Sequence, residues 1–402
     1  VGPVDIEIRA GRCEDVAELA WLDGISFGFD YVDYDITDLE LTLDPGRFLV
    51  ATEGDDIVGI AGDYPFTMTV PGGFLAVPGV TWVSVRPTHR RRGILRHLMD
   101  RQLREYAERG EIAAILTASE GGIYHRFGYG PATVKRRTVL DRTATRWTGP
   151  MARGSVRLAT AAQARAHVPD VHRRWCAHTP GALSRSKQWW DGEFLDRESH
   201  RNGATARRYL LHDDGYVIYR TRSARTDGRQ HNACHLTDYV ALTADAHAGL
   251  WQVLLGLDLV TTINAHSIPI DDPLAFLLSD GRQLRTTDLD DGIWVRLLDV
   301  ASALAARNYG VELDVVIEVQ DSTFGTGRYR LRGGPQGASC RRTDAPADVF
   351  CDVAALGSVY LGGHRVSQLA AAGGFRAQDL DVLRRLDLAF LADRAPSYGT
   401  DF

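Results

Sequence analysis

Val80-Thr-Trp-Val-Ser-Val85, a run rich in β-branched and aromatic residues, soon gives way to Arg90-Arg-Arg-Gly-Ile-Leu-Arg96. The apolar spacing of Ile94, Leu95, Leu98, Met99, Leu103, Tyr106 and Ala107 then predicts a helix. A strand that ends in a basic, glycine-containing turn and opens a helix reads as a phosphate site. The first N–H groups of a helix lack intrahelical partners and add to its dipole, so they attract an anion. Gly93 lets the backbone approach phosphate oxygens closely, and the arginines supply charge and forked donors. The competing reading is a solvated basic cap on a surface helix.

Outward from this turn, strands and helices alternate over residues 5–140. Ile6-Glu-Ile-Arg leads into a helix carrying Val16, Leu19, Ala20 and Leu22, and the strands Arg47–Ala51 and Ile57–Phe66 follow across the turn Glu53-Gly-Asp-Asp. Gly110 predicts the end of the basic-turn helix, and Ile112–Ala118 reads as a buried strand running into Ser119-Glu-Gly-Gly-Ile-Tyr-His-Arg-Phe-Gly-Tyr-Gly130. Mixed α/β is the expected class. A second unit starts near Ser155 and echoes the first. Val85–Met99 can be laid over Ala241–Leu255, so that Gly93 falls on Gly249 and the three arginines become Ala246, His247 and Ala248. Such a copy keeps the fold without the cofactor. A third, α+β unit follows, with strands at Val315–Val319 and Arg328–Leu331 and helices at Ala301–Ala306, Val353–Tyr360 and Leu380–Leu391.

The bulk numbers agree with two or three domains, because 402 residues exceed one ordinary core. Net charge is −6 and the pI about 6.1, which argues against nucleic acid as a partner and favours cationic ones. No apolar run approaches a membrane span, and Val1-Gly-Pro-Val-Asp-Ile-Glu-Ile-Arg9 carries no secretory-leader pattern. Five scattered cysteines, never paired as C-x-x-C, predict neither a disulfide framework nor a metal site and fit a reducing cytoplasm.

Arg90-x-x-Gly93 after a strand resembles the coenzyme A pyrophosphate loop of the GNAT N-acetyltransferases, although Leu95 stands where that pattern has a small residue. Tyr124-His-Arg-Phe-Gly-Tyr129 resembles an aromatic segment after the next strand in the same superfamily. Together with Ser84–Gly93, Ala118–Ala132, the second copy and the carboxyl-terminal aromatic, the chain resembles the Eis (enhanced intracellular survival) acetyltransferases of actinobacteria over its whole length. The resemblance implies two fused GNAT-like mixed-sheet domains, at 1–148 and 149–298, the second degenerate. A sterol-carrier-protein-like α+β domain at 299–402 completes the chain. It further implies a homo-hexamer that transfers acetyl groups from acetyl-CoA, without a metal, to several amines of an aminoglycoside.

Amine acetylation needs an oriented thioester, a proton acceptor for the nitrogen and an acid for the leaving thiolate. The resemblance gives the acid role to Tyr124, with Tyr129 the competitor by residue type. A phenol of pKa about 10 suits the task because it stays protonated at rest. The resemblance also sends the terminal carboxylate of Phe402 into the first domain's site as base, with Asp401 beside it. His89, His97 and His125 read as solvated or structural. Main-chain groups of Val83, Ser84 and Val85 are expected to orient the thioester. Arg90, Arg91, Arg92, Gly93, Leu95 and Arg96, with Ser119, are expected to hold the cofactor. Ser26-Phe-Gly-Phe-Asp-Tyr-Val-Asp-Tyr-Asp35, with Asp38 and Glu40, interleaves aromatic faces and carboxylates in a way that suits a polycationic amine. Phe27 and Trp82 match the family's aromatic pocket residues. The acidic contact aligns with Phe29, and Asp30 comes one residue later. Two alternatives remain at this point: acetylation of protein lysines or polyamines, and a non-enzymatic carrier using an apolar tunnel within 300–395.

Overall fold

The computed structural model describes residues 6–39, 41–226 and 229–402, so Glu40 and the extreme amino-terminal residues lie outside the described set. Two compact units are present. One comprises the chain up to Thr133, Gly292–Asp393 and Asp401–Phe402, and the other Val134–Asp291 with Arg394–Thr400.

The first unit is built on a seven-stranded sheet. β1 (Glu7–Ala10), β2 (Leu49–Glu53), β3 (Asp56–Val70), β4 (Gly73–Val85) and β5 (Ala113–Thr117) follow in sequence order, then Ile293–Leu297 and Gly130–Pro131. Only β4 and β5 run parallel. A tight turn at Pro71-Gly72, with Gly72 at φ 84°, makes β3–β4 a hairpin. The parallel pair needs a crossover helix instead. Helices up to Thr133 include α1 (Val16–Phe27), α2 (Asp33–Leu39) and α3 (Ile94–Glu108), and α3 is that crossover, followed by left-handed Gly110. Strand alternation feeds both faces. Phe48, Val50, Ile60 and Trp82 pack on Leu19 and Leu22 of α1, whereas Leu49, Ala51 and Val58 pack on Ile94 and Leu98 of α3. This is why Phe48-Leu-Val-Ala51 reads as a continuous apolar run.

The same unit contains a five-stranded sheet, in the order Gly337–Arg342, Gly327–Gly334, Leu313–Gln320, Val349–Asp352, Phe375–Ala377. The helix Val353–Tyr360 is buried along its whole length and lies close against Ile293–Leu297, since a Cβ on Gly357 would clash with the Val295 carbonyl oxygen.

In the second unit, a mixed sheet runs Leu284–Asp291, Val134–Asp141, Val260–Ala265, Asn232–Ala241, Gly215–Arg222, Arg208–His212, Arg157–Ala159. Two strands therefore pair outside the segments to which the linear reading gave them. Val134–Asp141 belongs to this sheet and Ile293–Leu297 to the first. The overlay of Gly93 on Gly249 also needs correction. Gly249 lies inside the helix Ala244–Leu255, whose N-cap Thr243 accepts a hydrogen bond from the Ala246 N–H. Ala246, His247 and Ala248 are therefore helical, not a turn. Helical apolar spacing repeats along both stretches and does not fix where either helix starts. The end of this helix is closed by a hydroxyl and carries Asp245, so it remains unlike an anion site.

Candidate active site

The site is built where β4 and β5 part. They pair only at Gly79 with Ile115 and Val80 with Leu116, after which β4 continues to Val85 without β5 beside it. The cause is local. Trp82 takes φ 53°, a left-handed conformation costly for a bulky residue, and the β3–β4 register shifts between Ile60 and Gly62. The edge of β4 at Val83, Ser84 and Val85 thus has main-chain polar groups that β5 does not take.

Beyond β4, Arg86 is tied by its N–H to the Val58 carbonyl and by its guanidinium to Glu18 at 2.8 Å. Arg91 at φ 64° and Gly93 at φ 83° then bend the chain into α3. Gly93 is the N-cap, no side chain closes the helix end, and a Cβ there would meet only His97, at 3.9 Å. A bare, positively dipolar helix end flanked by guanidinium groups is what a pyrophosphate fits.

A cavity of about 590 Å³ opens beside these groups. Its lining includes Val83, Ser84, Val85, Arg90, Arg91, Gly93, Leu95, Arg96, Ser119, Tyr124 and Phe27. Arg92 is diverted, giving a 2.6 Å hydrogen bond to Glu53, which His89 also meets at 3.0 Å. These two partners hold the Glu53 carboxyl below its usual range. Asp30 is exposed and outside the lining, and Trp82 packs in the core behind it with Phe48 and Leu22. Residues that the sequence reading did not single out for the cavity include Ile94, Glu120, Ile123, Arg126 and Phe127. Their signal is proximity to the two quoted motifs.

Tyr124 begins a short 3-10 turn after Gly121-Gly122 and is 9% exposed. Burial, and then the charge of Glu120, push its phenol up to about 12. It stays protonated at any physiological pH. Tyr129 packs edge-on at 6.3 Å, is fully buried and does not line the cavity, so it is no rival for contact with a ligand.

At the chain's end, the Phe402 ring lies 5.0 Å from Phe66 and the Thr117 hydroxyl donates to a Phe402 carboxyl oxygen at 3.2 Å. Thr117 closes β5, two residues before Ser119, and neither Thr117 nor Phe402 is among the residues lining the cavity. Gly79 leaves room for the ring, since a Cβ there would fall 2.9 Å from it. Asp401 is exposed. Among the described residues no cluster of His, Cys, Asp or Glu could hold a metal.

Comparison with known proteins matches this construction. Family models for the acetyltransferase (GNAT) domain match residues 7–132 and 181–297, and a sterol carrier protein domain matches 300–399. The chain is 41% identical to N-acetyltransferase Eis of Mycobacterium tuberculosis over 352 residues, 85% of each chain. It is 39% identical to an uncharacterized N-acetyltransferase of Streptomyces coelicolor over 356 residues, 86% of each. Among solved structures, Eis1 from Mycobacterium abscessus superposes with a TM-score of 0.87 at 35% identity, covering 99% of this chain and 100% of the other. A GCN5-related N-acetyltransferase from Anabaena variabilis, at 19% identity and a TM-score of 0.85, shares the fold. With two GNAT domains, a sterol-carrier module and this degree of identity, the chain belongs to the Eis family of GNAT N-acetyltransferases.

Proposed function

We propose that the protein uses acetyl-CoA to acetylate amines of aminoglycosides, at more than one position, by direct transfer. The observation that carries this reading is one cavity joining a bare helix end, four guanidinium groups, an open strand edge and a buried phenol. Bound acetyl-CoA would supply the activated acyl group as a thioester. The α3 N–H groups with Arg90, Arg91 and Arg96 would bind its pyrophosphate, and Leu95 and Ser119 would pack beside it. Main-chain groups of Val83–Val85 would orient the thioester. As the amine nitrogen bonds to the acyl carbon and the C–S bond breaks, the Phe402 carboxylate, held by Thr117, takes the nitrogen's proton directly or through water. Tyr124 gives its own proton to the departing sulfur.

Phe27, Trp82, Asp30 and Asp401 are assigned to the polycationic acceptor, by cation–π and ionic attraction. The protein is assigned to the cytoplasm, in keeping with five free cysteines, and to a homo-hexamer by its family resemblance alone. A carrier role in the third module has less support. A cavity of about 450 Å³ in it is lined by polar groups, Glu318, Thr326, Arg328, Arg342 and Asp344 among them.

Thioester turnover with aminoglycosides, polyamines and lysine peptides tests the reading, together with product masses and sedimentation of the native chain. Multiple acetyl additions to aminoglycosides at the highest kcat/KM are expected. Preference for lysine peptides would replace this substrate, and equal turnover by the native chain, a Phe402 deletion and a carboxyl-terminal extension would remove the terminal base.

A further inference from the structure

The place of the Tyr124 phenol is set by packing and by its main chain. The ring belongs to a buried cluster with Phe127, Tyr129 and Trp294. The Tyr124 carbonyl accepts hydrogen bonds from the Gly128 and Tyr129 N–H groups, the second at 3.3 Å. Gly128 caps the turn at φ 83°, and a Cβ there would fall 2.7 Å from Val353 Cγ1 and 2.8 Å from Arg296 Nε. At Gly130 a Cβ would clash with the Ala354 carbonyl oxygen. The backbone that closes the Tyr124 turn therefore rests on Arg296 and on the first residues of the helix Val353–Tyr360. That helix lies within the stretch that the sterol carrier protein model matches.

Arg296 stands two residues after Trp294 on the strand Ile293–Leu297, so the two side chains share a face. It is fully buried. The Asp321 carboxylate accepts from its guanidinium at 2.8 and 2.9 Å, and also from the N–H groups of Thr323 and Phe324, at 2.9 and 3.2 Å. This turn brings the Phe324 ring to 5.3 Å from the guanidinium carbon and packs it against the cluster that holds Tyr124. Arg296 Nε, the atom beside Gly128, is buried without a hydrogen-bond partner. A buried ion pair left partly unsatisfied contributes little stability beyond what packed apolar side chains would give. What it supplies is a fixed position, because the planar fork locks onto one carboxylate and its face onto one ring.

We propose that Asp321 and Phe324 of the third module are positioning residues for the general acid. Through Arg296 and Gly128 they set where the Tyr124 phenol stands in the cavity, and the module serves the transfer step as a buttress behind that phenol. Giving a proton to a departing sulfur needs hydrogen-bond reach, and a misplacement of about 1 Å can cost about a hundredfold in rate. The proposal rests on the acid role given to Tyr124 above and adds two side chains remote from it in sequence.

The test is steady-state acetylation of an aminoglycoside by the full chain. Asp321→Ala strands the Arg296 charge and confounds stability with position, so the variants are made at half-buried Phe324. Phe324→Ala is expected to lower kcat roughly tenfold and to leave the acetyl-CoA KM in place, since the groups assigned to the pyrophosphate lie on α3 and its turn. Phe324→Tyr keeps a ring over the guanidinium and should return kcat to within about twofold of native. In a Tyr124→Phe background the acid is already absent, so Phe324→Ala should cost no more than about twofold further. The proposal is overturned by native kcat in Phe324→Ala, by a raised acetyl-CoA KM in place of the kcat loss, or by Phe324→Tyr as slow as Phe324→Ala. A loss that persists undiminished in the Tyr124→Phe background would show a structural role and overturn it as well. Tyr124→Phe at native kcat removes the acid reading itself, and the positioning role falls with it. A slow Tyr124→Phe beside a native-like Phe324→Ala removes the positioning role alone.

Discussion

Asp23, a buried carboxyl on α1, costs the fold stability. Burial pushes its carboxyl up to about 6, against which the Tyr31 hydrogen bond works only in part. With a folded pKa above the unfolded value, the folded state keeps its proton longer, so stability falls as pH rises from about 4 to about 6 and is level above that. Asp23→Asn removes this penalty. At pH 7 the variant should unfold on the order of 1–3 kcal/mol later than the native chain, and the advantage should vanish near pH 4. Denaturant unfolding at the two pH values checks this, and a less stable variant at pH 7 would contradict it. Tyr124 carries the second residue-scale prediction. Tyr124→Phe keeps the ring packed against Tyr129 but has no proton to give, so kcat should fall roughly a hundredfold with the acetyl-CoA KM held. An unchanged kcat would take the acid role from Tyr124. Neither pKa was legible in the sequence, because burial is set by residues distant along the chain. The Tyr124 role was read through the family resemblance, and Asp23 carries no local motif.

At the scale of elements, the helix α3 and its basic turn were legible because their signals are local: apolar spacing, a glycine and a run of arginines. The parting of β4 from β5 was not. Val80–Val85 reads as an unbroken strand, and only the left-handed backbone at Trp82 and the register shift show where pairing with β5 stops. Arg92 illustrates the same limit, since its diversion depends on Glu53, at the end of β2. The α3 end offers a direct prediction. Gly93→Asp puts a side chain on a backbone with φ 83° and a carboxylate where the helix N–H groups point. The backbone strain is on the order of 1 kcal/mol, tolerated by Asp better than by most residues, so the chain should fold. The added charge opposes an anion directly, and acetyl-CoA affinity should fall by about a hundredfold or more. Calorimetric titration of coenzyme A measures this, and native affinity in the variant would place the pyrophosphate elsewhere.

For the whole molecule, the three-module order was legible from pattern and resemblance, whereas the pairing of Val134–Asp141 and Ile293–Leu297 was not. Strand pairing is non-local, and an apolar strand carries no label for its sheet. The same holds for Arg185, which looks unremarkable in sequence yet is among the most consequential side chains of the second unit. Its side chain is 5% exposed, pairs with Asp238 at 2.7 Å and donates to Thr400 Oγ1 at 3.0 Å and to the Gly399 carbonyl. Tyr216 adds a 3.0 Å bond to the same Asp238 carboxylate, and Trp190 stacks under the guanidinium at 4.6 Å. Within this unit it therefore ties the segment 394–400 to the sheet strand Asn232–Ala241. Removing one partner of a buried pair leaves the other charge uncompensated, which typically costs about 3–5 kcal/mol, whereas removing both costs far less. Arg185→Ala should destabilise the chain by that order and free residues 394–400 for proteolysis. Arg185→Met with Asp238→Leu should recover most of the stability without re-securing the tail, because the Gly399 and Thr400 bonds need the guanidinium. Denaturant unfolding and limited proteolysis of both variants separate the two contributions. A double variant as unstable as Arg185→Ala would mean that the tail contacts, not the ion pair, carry the stabilisation.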